Sequence, residues 1–344
     1  MKVRARAPLR LGLAGGGTDV SPYCDDFGGL VLNATIDRYA YAIIEPGAPG
    51  SNVRFVAADR GLAWQSKLEP ALPLDGNLDL HKGVYNRIVR EFNGGVPLAL
   101  SMTTHADAPP GSGLGSSSTL VVAMIKAYVE WLNLPLGEYD VARLAYEIER
   151  IDVGLAGGRQ DQYAATFGGF NLMEFSAGER VVVNPLRIKN WIISEFEASL
   201  LLYFSGVSRE SAHIIDEQVD NVRKKDAPAI DAMHALKQEA IAMKENLLMG
   251  DFPGFVDSMR AGWEAKKRMA RSITNPLIEE VHAIAEKAGM LAGKVSGAGG
   301  GGFIMMFVDP VRRMEVIRAL EPTAGRISQC HFTEHGTQGW KIHK

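Results

Sequence analysis

The chain has 344 residues, 46% of them apolar and 22% charged, enough for a large core in two lobes or one big domain. Its 37 Lys and Arg against 40 Asp and Glu leave a formal net charge of −3, with no basic excess for gripping nucleic acid. Two cysteines, Cys24 and Cys330, exclude a disulfide framework or thiolate metal site, no run approaches the roughly 18 apolar residues of a membrane span, and residues 1–14 lack the core of a secretory signal, so a cytoplasmic protein is expected.

Residues 3–10 read as a strand that runs into Arg10-Leu11-Gly12-Leu13-Ala14-Gly15-Gly16-Gly17-Thr18-Asp19. Consecutive glycines allow close backbone approach at Gly15 to Gly17, which makes Gly16, Gly17 and Thr18 candidates to line a ligand. The acceptor-only carboxylate of Asp19 suits a ligand rich in hydroxyl donors, such as a sugar. Arg10 stands beside them with a permanent charge. Taken alone, a tight turn capped by Asp accounts for this run equally well. Strands follow at 30–36, 38–44 and 53–57, then a helix at 80–92 and a strand at 96–102.

The stretch Pro109-Pro110-Gly111-Ser112-Gly113-Leu114-Gly115-Ser116-Ser117-Ser118-Thr119 leads into a helical pattern at 117–132. Glycines that let amides converge, followed by a helix N-terminus, make a cradle for phosphate. No lysine follows the glycines, so this is not a Walker A loop. The hydroxyls of Ser116, Ser117 and Ser118 can bond phosphate oxygens, and one can hold magnesium. A carboxylate is then needed, and Glu149, near the end of the next helical pattern at 138–150, is the candidate.

Gly157-Gly158-Arg159-Gln160-Asp161-Gln162 reads either as a loop with a helix cap or as a turn that aims Asp161 into a cleft, where it accepts a hydroxyl proton. Strands at 170–175, 180–183 and 200–204 come next, with helices at 208–222, 227–249, 252–271 and 276–288. The last part alternates strands at 291–295, 303–308 and 326–332 with a helix at 311–320. Lys294-Val295-Ser296-Gly297-Ala298-Gly299-Gly300-Gly301-Gly302-Phe303 contains GxGxxG, but a strand rather than a helix follows, so the dinucleotide reading fails. It reads as a strand connection that passes close to a ligand at Gly297 and Gly299. The eight histidines show no zinc spacing. These patterns give an α+β chain with residues 1–178 and 179–344 as its two domains.

In order, Pro-x-Arg with GGGTD, then PPGSGLGSSS, GGRQDQ and KVSGAGGGGF resemble the GHMP small-molecule kinases, most closely their heptose phosphate kinase branch, with the fucokinase-like branch as neighbour. The resemblance implies a two-lobed fold with the active site in the cleft between lobes. It implies ATP phosphates held from Pro110 to Ser118, and Mg2+ held by Ser117 and Glu149. It makes Asp161 the catalytic acid–base, oriented by Arg10, and sets Asp19 among the sugar contacts. Where galactokinase-like members have Glu-His this chain has Gly16-Gly17, so those side-chain contacts do not transfer. Arg209 is the candidate for a phosphate already on the sugar. The implied reaction is phosphorylation of the anomeric hydroxyl of D-glycero-D-manno-heptose 7-phosphate on the way to nucleotide-activated heptose for surface polysaccharide. A sugar 1-kinase of fucokinase type and a catalytically silent sugar sensor are the alternatives. The partner is a small sugar phosphate bound by a monomer or homodimer.

Overall fold

The computed structural model describes residues 1–206 and 211–343. The first half runs β1 (Lys2–Ala14), α1 (Tyr23–Phe27), β2 (Gly29–Pro46), β3 (Val53–Ala57), β4 (Leu62–Ser66), α2 (Asp79–Phe92), β5 (Leu100–Ala106), α3 (Ser116–Leu132), α4 (Glu138–Glu147), α5 (Gln160–Phe167) and β6 (Phe170–Phe175). The second runs β7 (Val181–Pro185), α6 (Asn190–Ser199), β8 (Leu200–Phe204), α7 (Ser211–Arg223), α8 (Ala227–Met249), α9 (Phe252–Met269), α10 (Pro276–Ala288), β9 (Met290–Val295), β10 (Phe303–Val308), α11 (Arg313–Leu320), β11 (Arg326–Ser328) and β12 (Gln338–Ile342).

The strands form an eight-stranded sheet, ordered β12-β1-β2-β5-β3-β4 with β6 on β2 and β7 on β6, and a four-stranded sheet ordered β11-β8-β10-β9. Among the described strands, only β3 and β5 pair in parallel, because α2 supplies the crossover between them. This is the expected two-lobed α+β architecture. The larger sheet takes β7 and β12 from beyond residue 178, so the sheets do not divide the chain at 178/179.

β1 explains how the site is aimed. Val3, Ala5 and Ala7 pack with Ile88, Val121 and Ile125 in one core. After a register shift between Pro8 and Arg10, Leu9, Leu11 and Leu13 enter a second core with Met243, Phe255, Phe303 and Met305, drawn from both sheets and the helices between them. Each buried leucine there contributes about 1.5–3 kcal/mol relative to exposure. Strand alternation then leaves Arg10 and Gly12 on the opposite face. A third core, with Ile214, Trp263, Val281 and Val316, backs the smaller sheet.

Several elements differ from expectation. The strands at 30–36 and 38–44 are one strand, β2, and the register shift opposite it absorbs the break. The strand expected at 96–102 starts at Leu100, since Pro97 has no N–H for a ladder. The strand expected at 326–332 is only Arg326–Ser328. The short elements β4, α5, α6 and β12 carried too weak a period to be read.

Candidate active site

A cleft of about 520 Å3 between the lobes is lined by residues of both, a size suited to a small molecule. One wall is the loop before α3. Gly111, Gly113 and Gly115 have φ of +71°, +82° and +76°, left-handed backbone that glycine adopts without strain. Among the described residues no side chain caps α3, so its first N–H groups are available to an anion.

The loop is fixed from outside. Arg10 N donates to Leu114 O (3.2 Å), Arg10 Nη1 to Gly113 O (2.6 Å), Phe303 N to Ser112 O (2.9 Å) and Ser296 Oγ to Gly113 O (2.9 Å). Inside it, the serines separate by task. Ser112 and Leu114 are fully buried and do not line the cleft. Ser116 Oγ donates to Pro109 O at 3.2 Å, and Ser118 Oγ accepts from Gln162 Nε2 at 3.2 Å. Of the three hydroxyls expected to meet phosphate, Ser117's faces the cleft with no hydrogen bond to any described residue.

Asp161 sits in the first turn of α5, whose N-terminus faces the loop. Its Oδ1 accepts from Arg10 Nε at 2.7 Å and pairs with Arg10 Nη2 at 2.6 Å. Its Oδ2 lies 3.1 Å from where a Cβ on Gly115 would be, so the second oxygen is beside the loop. A carboxylate with one oxygen held by a permanent cation and the other at an anion cradle can take a proton from a hydroxyl aligned on the phosphate.

Glu149 follows α4 in a π-helical turn, Ile148–Asp152, that brings its 2%-exposed side chain to the cleft. Gln162 Nε2 donates to Glu149 Oε2 at 2.7 Å, and Arg150 Nη1 lies 3.4 Å from Oε1. Gln162, part of the GGRQDQ motif but given no role of its own there, thus ties Glu149 to Ser118.

Asp19 lines the cleft, but its oxygens are already engaged. They accept from Gly17 N (3.2 Å), Arg159 N (2.9 Å) and Gln160 N (3.0 Å), so Asp19 caps α5 from a distant turn. Burial above all, with Asp161 nearby, pushes it above the ordinary carboxylate range, while these N–H donors pull it back. Gly16 and Gly17 line the cleft. Thr18 is buried behind it, its Oγ1 donating to Gly15 O (2.8 Å).

Gly297 lines the cleft and touches the loop, because a Cβ there would lie 2.7 Å from Gly113 Cα. Gly299 does not line the cleft and packs against the backbone of Ile273, where a Cβ would come to 2.9 Å. Arg209 lies outside the described residues.

Sequence reasoning also missed Lys266, Arg150 and Gln218, all on the cleft walls. Lys266, on α9, is 3% exposed and donates to Gly297 O. Arg150 Nη1 donates to Leu155 O and Ala156 O. A side cavity of about 240 Å3 shares Asp19, Val20, Arg150 and Ile215 with the cleft and adds Arg223 and Asp216 from α7. No residue of the phosphate loop lines it.

The model of the GHMP kinases N terminal domain matches residues 79–169, and that of the GHMP kinases C terminal matches residues 240–326. The chain is 48% identical over 340 residues to the D-glycero-alpha-D-manno-heptose 7-phosphate kinase of Campylobacter jejuni, covering 99% of both. It is 25% identical over 345 residues to the L-fucokinase/L-fucose-1-P guanylyltransferase of Bacteroides fragilis, covering 94% of this chain and 36% of that one. The crystal structure of a D-glycero-D-manno-heptose 1-phosphate kinase from Bacteroides thetaiotaomicron matches with a TM-score of 0.85 and 48% identity, over 99% of this chain and 100% of that one. With a phosphate cradle, a clamped carboxylate and these full-length matches, the chain belongs to the GHMP kinases and is a phosphotransferase acting on an alcohol group.

Proposed function

We propose that the protein transfers the γ-phosphate of ATP to the anomeric hydroxyl of D-glycero-α-D-manno-heptose 7-phosphate, giving the 1,7-bisphosphate. The observation that carries the reading is the Arg10–Asp161 pair, with one carboxylate oxygen clamped and the other at Gly115 of the anion loop. Full-length identity of 48% to a kinase named for that substrate supports the sugar. The loop from Pro110 to Ser118 holds the ATP phosphates through backbone N–H groups and the Ser117 hydroxyl. Gly16, Gly17 and Gly297 shape the sugar's place, and Asp19, with lone pairs beyond those its N–H donors use, contacts hydroxyls.

Glu149 and Ser117 fit a magnesium ion. Both residues line the cleft and offer hard oxygens, and no cluster of three or more acidic, His or Cys ligands competes among the described residues. Two protein ligands are enough where nucleotide phosphates and waters complete the shell. Magnesium bound there neutralises charge on the ATP phosphates. Asp161 accepts the hydroxyl proton, and Arg10 keeps its carboxylate oriented and offsets charge on the transferred group.

The side cavity supplies a place for the phosphate already on the sugar, with Arg150 and Arg223 as its cations. Arg223 makes no hydrogen bond or ion pair to a described residue, whereas Arg150 also staples the 155–158 loop. Asp216 adds one exposed negative charge to that wall. All these parts come from one chain, so a monomer or a homodimer would serve, and a cytoplasmic setting supplies the ATP.

Asp161→Ala tests the assignment. It should lower kcat by about 10²- to 10⁴-fold while ATP binding, measured by calorimetry, persists. Turnover near the parent's would remove Asp161 from the proton-accepting role. The second reading, an unphosphorylated fucose-like acceptor, is favoured by the 25% identity to a fucokinase. A panel of phosphorylated and unphosphorylated sugars separates the two.

A further inference from the structure

Lys266 is a cation without a counter-charge. It is 3% exposed, and among the described residues no carboxylate lies within ion-pair distance of its Nζ. One donor goes to the carbonyl of Gly297, and an ammonium has three. Burial first, then the positive charge of Arg10, pulls its pKa down to about 8, with Asp19 acting the other way. A lone charge held out of water is unfavourable, and a methionine would fill the same space without that cost. Lys294, equally buried, donates to Leu13 O at 2.8 Å and does not line the cleft. Lys266 does line it. The chain therefore keeps an unneutralised cation open to an anion it does not itself supply.

Position says which anion. Gly297, the partner of Lys266, packs on Gly113 of the phosphate loop. Arg10, the charge that most depresses Lys266, holds both Gly113 O and the Asp161 carboxylate. Lys266 is absent from the side cavity that contains Arg223. Its ammonium thus stands where the two glycine loops and the clamped base converge, on the transfer side of the cleft.

We propose that Lys266 is a catalytic residue that binds the phosphoryl group during transfer; this rests on the kinase reading above. The acceptor oxygen bonds to the γ-phosphorus as the bond to the β–γ bridging oxygen breaks. The bridging oxygen keeps its electron pair and leaves with ADP, and the hydroxyl proton passes to Asp161. The peripheral oxygens of the transferred group meet the Lys266 ammonium, whose neutralisation is strongest in the transition state. The charged groups facing Lys266 are Arg10 from β1, Asp19 from the glycine turn and Lys294 from β9.

Lys266→Met and Lys266→Arg are assayed with ATP against heptose 7-phosphate and against unphosphorylated heptose, and each variant is melted. The Met variant should lose about 10²- to 10³-fold in kcat with both KM values within a few-fold of the parent and a melting temperature no lower. The Arg variant should recover part of kcat. Parent kcat/KM should fall above about pH 8, where the ammonium deprotonates, and the Arg variant should lack that fall. An unchanged kcat overturns the proposal, as does a KM increase confined to heptose 7-phosphate, which would assign Lys266 to the sugar's own phosphate. A lowered melting temperature with normal kcat at lower temperature overturns it in favour of a structural role. If the Met variant does not fold, the pH profile of the Arg variant decides. Failure of the substrate reading is separately visible as parent turnover on another sugar, on which the same comparison is then run.

Discussion

Arg10 places three of its nitrogens on two parts of the machinery, Nε and Nη2 on Asp161 Oδ1 and Nη1 on Gly113 O. One rigid guanidinium therefore sets the base against the phosphate loop, a geometry a lysine cannot reproduce. Arg223 is the contrasting case, an exposed guanidinium at the end of α7 without a described partner. Arg223→Ala should raise KM for heptose 7-phosphate by about 10- to 100-fold, the worth of a charge-assisted hydrogen bond, and leave KM for ATP and kcat unchanged. Steady-state kinetics in both substrates checks it, and an unchanged sugar KM would remove Arg223 from the pocket. Arg10, Ser117 and Asp161 could be picked out as candidates because they stand in or beside glycine-rich runs, and Glu149 as a carboxylate near the end of the next helical pattern. Lys266 and Arg223 could not, since each lies on an amphipathic helix where a cation reads as solvated surface until the packing is seen.

At the scale of elements, the site depends on helix ends and on glycines that permit close approach. Asp19 accepts the N–H groups of Arg159 and Gln160 where α5 begins, and Gly158 is needed there because a Cβ would fall 1.9 Å from Asp19 Oδ2. Gly115 combines a φ of +76° with a close approach to Asp161, whose Oδ2 a Cβ there would meet at 3.1 Å. Gly115→Ala should destabilise the fold by about 1 kcal/mol through the left-handed backbone and lower kcat more than that loss explains, since the new methyl crowds the base. Thermal melts alongside single-turnover rates separate the two effects, and a kcat equal to the parent's would contradict the crowding. The phosphate loop and α3 could be read from sequence because glycines, serines and a long apolar period mark them. The eight-residue α5 could not, because its cap is supplied by Asp19, more than a hundred residues earlier. The same holds for the π turn that presents Glu149, which looked like the end of one longer helix.

The whole molecule brings the two lobes together at the phosphate loop. Phe303 N and Ser296 Oγ reach it from the smaller sheet, Arg10 reaches it from the larger one, and Gly17 lies against Met269 and Gln218 of α9 and α7. Within a chain of net charge −3, the cleft sets three cations, Arg10, Arg150 and Lys266, against three carboxylates, Asp19, Glu149 and Asp161, so its affinity for phosphorylated substrates rests on where the cations stand rather than on a net positive charge. The described helices include none long and apolar enough to cross a membrane. Two α+β lobes were readable from the order of strand and helix patterns, but the return of β12 to β1 was not, because strand pairing between distant segments leaves no local mark.

The relatives' names place the existing phosphate differently, on position 7 in one and position 1 in the other. The direct measurement is therefore to supply ATP with heptose 7-phosphate or with heptose 1-phosphate and follow each by phosphorus NMR and mass. The 7-phosphate should gain a phosphate on its anomeric oxygen, with one ADP formed per product, and the 1-phosphate should be left unchanged. Consumption of the 1-phosphate, or indifference to the 7-phosphate while an unphosphorylated sugar is turned over, would contradict the proposed reaction.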